Sequence, residues 1–396
     1  MAIEFRQAGD RLQELRRGAS KEKAGLEVGP FFRPICPKKK GFNVTTLDVF
    51  SRDQLIKNYA KDPNVYPHFD DIEEVDIVSS KPLLEAISSS DHFKDNLKNN
   101  LKNNVNNNIQ NSQTTSTAQP LSPTARFTPV SGVLDYIVTS HHFEHLPNPI
   151  QFLQDAEVLL RPGGSLTMAI PIHTRCFDLY KPLSSSGSFI DAYINQQAQP
   201  SLGTVFNHIC LGAKKKDGSP IASPQLEPND VTLIWTELEP FQTNPEFNKI
   251  AWFEQLQADI KSRYIDAHCH CFNPASFCLI MADLRMLGLV KELQVHDICE
   301  HGLEFIVHLQ KGAPQQNHPC SGLSRTALVQ AASQYSAREA LTAAAAGPGS
   351  NEPTDNPADQ LLRALKNSRS WQLTRPYRAA GSLLRKLRHS LSGAKP

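Results

Sequence analysis

The sequence predicts an α/β fold, in which a doubly wound, Rossmann-like and mostly parallel sheet ends in a C-terminal antiparallel hairpin. Residues 134–138 are an apolar run of the kind found in strands that are buried on both faces. A helix with a 3.6-residue period follows, and its apolar residues are Phe152, Leu153, Ala156, Leu159 and Leu160. Residues 162–164, Pro-Gly-Gly, end this helix, and residues 166–170 form the next strand. This β-α-β unit requires parallel strands.

Two strands that precede this unit carry the signs of a nucleotide site. Residues 25–28 contain Glu27 and run into Gly29, and a strand over residues 42–48 ends in Asp48 about twenty residues later. A glycine lets the backbone approach a ligand, and a carboxylate at that distance accepts hydrogen bonds from ribose hydroxyls. The pattern predicts a site for a ribose-bearing nucleotide, with residues 70–78 as a third strand that ends near Asp76.

The central unit also resembles a known family. SHHFEHLPNP before the helix and LLRPGGSLTMAIP after it look like the fourth strand, helix and fifth strand of class I S-adenosylmethionine-dependent methyltransferases. The resemblance covers roughly residues 24–311. Phe31 and Arg33 stand where most of the family has glycines, and this loop is similar to that of a subgroup associated with bacterial polysaccharide and glycan assembly.

The resemblance implies S-adenosyl-L-methionine as cofactor and methylation of a sugar or glycan hydroxyl as the reaction. The residues expected to bind the cofactor are Glu27, Gly29, Phe31, Asp48, Asp76, Ser140 and His141. The candidates for the general base are, in order, His208, His145 and His173. Arg175, Asp178 and His270 are expected on the substrate side; for Arg175, Asp178 and His208, a structural ion pair or a capping role is the alternative.

Two other functions remain open. One is a catalytically degenerate, methyltransferase-like module for binding or scaffolding, which the unusual loop at Phe31 favours. The other is a metal-dependent hydrolase, because His268 and His270 would point to the same side of a strand and reach one ion. In metal-dependent hydrolases, a pair of histidines spaced in this way normally lies at the start of a barrel of some 250 residues. Here too few residues follow His270 to form such a barrel. The methyltransferase interpretation assigns no metal.

Composition predicts how the chain is divided. We expect an N-terminal helix over 1–20, a methyltransferase-like domain over 21–311, a linker over 312–360 that includes one Ala-rich helix, and a basic amphipathic tail over 361–396. Within the domain, the Asn-rich residues 88–128 have too few apolar side chains to fold and are predicted to be a disordered insertion. Residues 172–262 are expected to be a substrate-side insertion.

Charge and cysteine content narrow the partners and the compartment. A formal net charge of +1 gives no reason to expect nucleic acid as a partner, so we expect a small-molecule or glycan acceptor. Eight cysteines in 396 residues, with no signal peptide or membrane-length apolar run, indicate reduced thiols and a cytoplasmic protein. The tail resembles the ends of bacterial glycosyltransferases and predicts peripheral contact with an anionic inner membrane surface or with glycan-assembly proteins.

Overall fold

A computed structural model describes residues 3–62, 65–91, 93, 131–218, 221, 231–235, 248–312 and 316–345. Its strands are β1 (Arg6–Gln7), β2 (Gly25–Val28), β3 (Val44–Asp48), β4 (Ile77–Val78), β5 (Leu134–Ser140), β6 (Leu160–Pro171), β7 (Ala213–Lys215), β8 (Val231–Leu233), β9 (Leu293–His301) and β10 (Glu304–Lys311). Its α-helices are α1 (Arg11–Leu15), α2 (Arg52–Asn58), α3 (Leu83–Ser89), α4 (Pro149–Leu159), α5 (Ser186–Ile194), α6 (Leu202–Cys210), α7 (Lys249–Ser262), α8 (Pro274–Met286) and α9 (Arg325–Ala345).

One eight-stranded sheet organises the described residues, in the order β1-β9-β10-β6-β5-β2-β3-β4. Strands β2 to β6 pair with one another in parallel, and β10 runs antiparallel between β6 and β9. The prediction of a doubly wound Rossmann-like sheet with a C-terminal antiparallel hairpin is therefore confirmed. From β2 the chain builds the sheet outwards through β3 and β4, then returns to build β5 and β6 on the other side. The reversal lies between β2 and β5, the position at which open α/β sheets bind ligands.

Side chains pack tightly on both faces of the sheet around β2 and β5. Leu26 and Val28 face the main apolar core together with the buried side of α4, whereas Tyr136 and Val138 belong to a second core on the opposite face. A Cβ atom placed on Gly25 would lie 2.0 Å from the Tyr136 ring. The glycine at the start of β2 therefore makes room for an aromatic ring on the neighbouring strand.

The prediction of one helix over residues 1–20 is wrong. Residues 6–7 form β1, which pairs in parallel with β9, and the helix that follows has only five residues. Asp10 begins this helix by accepting a hydrogen bond from the backbone N–H of Gln13. Arg6 and Arg17 both pair with Asp297 on β9, so the charges of this segment attach it to the sheet.

The third predicted strand is also much shorter than expected. Residues 66–71 form a 3₁₀ helix, and β4 begins only at Ile77. The Asp76 carboxylate accepts hydrogen bonds from the backbone N–H of Thr46, at 2.8 Å, and from its hydroxyl, at 3.0 Å. A longer β4 would need that N–H for the sheet, so the Asp76 side chain takes the place of strand pairing here.

The predicted linker contains part of the folded domain. The Ala-rich helix was expected, but in α9 the side chains of Leu328, Ala331, Ala332 and Tyr335 are buried in the main core and α9 packs on α8. The prediction of a linker was wrong for this segment. A sequence rich in alanine has low complexity, but alanines at helical spacing also form an apolar face that can pack against a core. Most of residues 88–128 and all of 361–396 lie outside the described residues. Within the described ranges, no helix is both long and apolar enough to cross a bilayer.

Candidate active site

Three strand ends predicted to hold a cofactor lie side by side. Val28 is paired with Leu47 on β3 and with Thr139 on β5, so Gly29 is flanked by Asp48 and Ser140 at the carboxyl edge of the sheet. The Gly29 N–H donates to the carbonyl of Leu47 at 2.8 Å, and the Thr139 hydroxyl donates to the carbonyl of Val28 at 2.9 Å. Neighbouring strands are about 4.8 Å apart, so these three positions form one continuous edge.

Glu27 shapes the loop that leaves β2. Its carboxylate is 1% exposed and accepts backbone hydrogen bonds from Ile35 at 2.6 Å and from Cys36 at 2.9 Å. Burial raises the pKa of Glu27 to about 7, and the two backbone donors oppose this rise. Glu27 therefore acts on the backbone of the loop, which it folds back against β2.

The unusual aromatic residues of this loop form a small core of their own. The ring centroid of Phe31 lies 4.8 Å from that of Phe32 and 4.7 Å from that of Tyr59, and both phenylalanines are buried. Gly29 has a φ of 73° and Phe31 a φ of 46°, in the left-handed region that favours glycine. Two left-handed residues turn the chain sharply at the edge of the sheet, and the Phe31 side chain packs towards α2.

The two acidic residues expected to contact the nucleoside differ in position. Asp48 ends β3, is 1% exposed, and accepts a hydrogen bond from the backbone N–H of Phe50 at 3.0 Å. Asp76 lies one residue before β4 and pairs with Lys38 at 2.9 Å, so its expected place near the end of the strand was wrong. The residue of this strand at the carboxyl edge is Ser79, whose N–H donates to the carbonyl of Asp48.

The N-terminal segment reaches the same edge through a network of charges. Arg11 donates to the Ser140 hydroxyl at 2.7 Å and to the Glu304 carboxylate at 2.5 Å. His141 has a φ of 51° and places its Nε2 atom 2.8 Å from Glu304. Burial lowers the pKa of His141, but the carboxylates of Glu144 and Glu304 outweigh burial and raise it to about 9. Ser140 and His141 are therefore held in place by contacts from α1 and β10.

Immediately after β5, a buried cluster brings Glu144 and His145 against His268. The backbone carbonyl of Glu144 accepts hydrogen bonds from Cys269 at 2.7 Å and from His270 at 3.0 Å, which holds the two segments together. One carboxylate oxygen of Glu144 lies 3.9 Å from His145 Nε2 and 4.0 Å from His268 Nε2. All three residues are less than 10% exposed.

Each imidazole of this cluster is held by a second carboxylate. His145 Nδ1 lies 2.9 Å from Asp266, and His268 Nδ1 lies 2.5 Å from Asp178. Lys181 pairs with Asp178 at 2.6 Å, and its charge together with the hydrogen bond from His268 lowers the Asp178 pKa against the effect of burial. Burial lowers the pKa of His268, so we describe its ring as neutral, with Nδ1–H donating to Asp178.

Of the three predicted bases, only His145 belongs to the cluster with Glu144 and His268. His208 stands behind it: its Nδ1 accepts the backbone N–H of His268 at 3.2 Å and lies 3.3 Å from Lys181 Nζ. Burial lowers the pKa of His208 strongly, and the charge of Lys181 adds to this. His173 lies elsewhere, 3.1 Å from Ser336 on α9.

The three predicted substrate residues are also separated. Asp178 belongs to the cluster through His268, whereas Arg175 donates to Glu300 at 2.7 Å and to the carbonyl of Gly302 at 2.9 Å, within the protein interior. His270 lies against Phe189, with Nδ1 3.3 Å from Ser184. Residues 263–271 are not in a strand, so the reason given for placing His268 and His270 on one ion was wrong.

Sequence reasoning did not assign Glu144, Asp266, Lys181 or Arg11 to the site. Glu144 lies within the segment SHHFEHLPNP and Arg11 within the predicted N-terminal helix, and neither position by itself predicts a contact with the site. The signal available in the sequence was the number of acidic and histidine residues just after β5 and again at 266–270. That signal does not state which members meet, because the two segments are more than one hundred residues apart.

Part of the chain is similar to a known protein family. Residues 4–197 match the family model of a methyltransferase domain. The match spans just under half of the chain, and it contains Gly29, Asp48 and Ser140 as well as the first half of the buried cluster. Together with the strand order, the match supports S-adenosyl-L-methionine as the cofactor. The chain matches no curated protein sequence.

Solved structures show only distant similarity. A SAM-dependent methyltransferase from Aquifex aeolicus is 12% identical, with 76% of this chain and 87% of that chain covered and a TM-score of 0.29. A SAM-dependent methyltransferase from Methanosarcina mazei is 12% identical, with 75% and 96% covered and a TM-score of 0.28. A protein from Rhodobacter sphaeroides described as a Zn-dependent alcohol dehydrogenase is 9% identical, with 78% and 92% covered and a TM-score of 0.34. Scores this low carry no argument about the reaction.

Proposed function

We propose that the protein is an S-adenosylmethionine-dependent methyltransferase that methylates a hydroxyl group of a sugar or glycan. The observation that carries the proposal is the common edge formed by Gly29, Asp48 and Ser140, at the point where the order of the strands reverses. The buried cluster of Glu144, His145 and His268 begins four residues beyond Ser140. The cofactor edge and a set of proton-accepting groups are therefore neighbours.

The residues of the chain fit the parts of this reaction. S-adenosylmethionine, when bound, supplies a methyl group on a positively charged sulfur. Asp48 would accept hydrogen bonds from the ribose hydroxyls, and the turn at Gly29 would let the backbone approach the ligand. A hydroxyl acceptor must lose a proton, which the buried cluster can receive. Holding donor and acceptor in contact can lower the barrier by roughly 7 to 11 kcal/mol.

The choice of a sugar or glycan acceptor rests on two resemblances in the sequence. The loop after Gly29 is similar to that of methyltransferases of bacterial glycan assembly, and residues 368–376 resemble a motif near the ends of bacterial glycosyltransferases. The basic tail would keep such an enzyme at an anionic membrane surface. Flotation with anionic vesicles tests this attachment: we expect the full chain to float and a chain lacking residues 375–396 to stay behind.

Isothermal titration with S-adenosylmethionine tests the cofactor site. A hydrogen bond to a charged group contributes about 1.5 to 3 kcal/mol, so Asp48→Ala should weaken binding by roughly ten- to a hundredfold or more. Asp53→Ala is the matched control, because this carboxylate is exposed on α2, and its affinity should equal that of the wild type. Equal binding by Asp48→Ala and the wild type would remove Asp48 from the site.

One specific observation favours a second function, that of a binding module without catalysis. Phe31 occupies the left-handed region in a loop where most of the resembled family has glycines, and its ring belongs to a local core. A degenerate domain that has lost the cofactor site would give no heat with S-adenosylmethionine, whereas one that has lost only catalysis would still bind it. Transfer of a radiolabelled methyl group to a panel of sugars, nucleotide sugars and lipid-linked glycans separates the remaining outcomes, because binding without transfer to any of them would favour the module.

A further inference from the structure

The Glu144 carboxylate is an unusual group for a protein interior. It is 0% exposed, and within the described ranges no donor reaches hydrogen-bond geometry with either of its oxygens. The His141 ring approaches one oxygen only to 3.5 Å. A buried carboxylate that accepts no hydrogen bond is costly even beside a charged imidazole, so such a group indicates that something else binds there.

A second atom aimed into the same space is also unsatisfied. His268 is 3% exposed, and its Nε2 atom finds no hydrogen-bond partner in the described part of the chain. Its other nitrogen faces Asp178, and its Nε2 atom lies 4.0 Å from the Glu144 carboxylate. His145 places its Nε2 atom on the same side, and one ligand atom from each of the three residues lies within 4.8 Å of the others.

We propose that Glu144, His145 and His268 bind a divalent transition metal ion, and that Zn²⁺ suits these ligands best. Two imidazoles and one carboxylate are a ligand set of catalytic zinc sites, which keep a fourth position open. Ligands about 2.0 to 2.1 Å from a tetrahedral ion lie about 3.3 Å apart. The separations of 3.9 and 4.0 Å between Glu144 and the two imidazoles must therefore shorten by about 0.6 to 0.7 Å, and that between the two imidazole nitrogens, which is within 4.8 Å, by at most about 1.5 Å. Side-chain rotation alone can supply a shift of that size.

The groups behind the ligands match those of established metal sites. A histidine that binds a metal through one nitrogen commonly donates its other N–H to a carboxylate, which fixes the ring and its tautomer. Asp266 stands in this position for His145, and Asp178 stands there for His268. Mg²⁺ fits less well, because it prefers oxygen ligands in octahedral geometry.

The ion adds a substrate class to the proposed methyl transfer, and this extension rests on that function. A metal ion with an open position binds a hydroxyl oxygen and lowers its pKa. The site therefore fits an acceptor with a hydroxyl group that can coordinate directly. The metal site itself does not depend on methyl transfer, and Zn²⁺ binding can be measured without the cofactor.

The test is the zinc content and zinc affinity of the full chain. We expect metal analysis by mass spectrometry to find one Zn²⁺ per wild-type chain. In competition with a chromophoric chelator, the affinity for Zn²⁺ should fall by at least about a hundredfold in His268→Ala and in Glu144→Gln. Asp266→Ala should lose roughly ten- to a hundredfold, as is typical of groups behind the ligands. Circular dichroism confirms that each variant is folded.

Two control variants decide whether the ion lies where we place it. His270→Gln alters a buried histidine outside the three ligands and should keep zinc. Cys320→Ser alters a separate group of Cys278, His318 and Cys320, which also lie close together, and should keep it too. No zinc in the wild type, unchanged affinity in His268→Ala, or zinc loss in either control overturns the proposal.

The same preparations separate this proposal from the proposed function. Zinc binding without heat from S-adenosylmethionine would reject the methyltransferase and leave the metal site standing. Cofactor binding and methyl transfer by a chain that takes up no zinc would reject the metal site alone. Cobalt replacement gives an independent signature, because a four-coordinate nitrogen and oxygen site absorbs in the visible without the thiolate band that the cysteine group would produce.

Discussion

Arg175 gives the sharpest test of whether a conspicuous charge serves the substrate or the fold. It is 6% exposed, and its guanidinium contacts the Glu300 carboxylate at 2.7 Å, the carbonyl of Gly302 at 2.9 Å and the Tyr335 hydroxyl at 3.1 Å. Arg175→Ala leaves the Glu300 charge buried. Removing one partner of a buried ion pair costs about 3 to 5 kcal/mol. At roughly 2 °C per kcal/mol for a domain of this size, Tm should fall by about 6 to 10 °C.

Chemical and thermal unfolding measure this loss, and titration with cofactor provides the second readout. A matched control is Arg161→Ala, whose partner Asp135 lies near the surface and whose own side chain is 43% exposed. Exposed pairs contribute about 0 to 1 kcal/mol, so this variant should be close to wild type. Wild-type stability of Arg175→Ala, combined with a raised KM for the acceptor, would refute the structural role and restore the substrate assignment.

Three further predictions follow from packing and burial. Burial raises the pKa of Glu27 from 4.5 to about 7, so the unfolded chain releases this proton at a lower pH than the folded chain does. In urea unfolding, the free energy by which the wild type exceeds Glu27→Gln should therefore fall by up to about 3 kcal/mol between pH 4.5 and 7.5. A difference that stays constant over this range would contradict the shift. Gly25→Ala should cost at least 1 to 3 kcal/mol by overpacking against Tyr136, whereas Gly9→Ala has open space and should be near neutral in the same assay. Leu328→Ala should lower the free energy of unfolding by about 2 to 5 kcal/mol, whereas Val329→Ala, at an exposed neighbouring position, should lower it by about 0.5 kcal/mol. Equal effects of the two substitutions would mean that α9 does not pack against the core.

Local pattern was enough to predict the parts of the fold that repeat regularly. The strands at β5 and β6, the helix α4, and the closing hairpin of β9 and β10 all follow from apolar period and turn residues. The N-terminal segment and the stretch before β4 were mispredicted, because their structure depends on side chains such as Arg6 and Asp76 that pair with distant strands. The period of a charged segment does not show which carboxylate or backbone group it will meet.

The site shows the same division. The sequence by itself determined that Gly29, Asp48 and Ser140 end neighbouring strands, because β-α-β units bring the carboxyl ends of parallel strands to one edge. Only the tertiary structure decided that Glu144 and His145 meet His268, that His208 stands behind them, and that Arg175 belongs to the interior. Those contacts join residues that are 60 to 125 positions apart, and their partners are chosen by burial and geometry that a linear pattern does not contain.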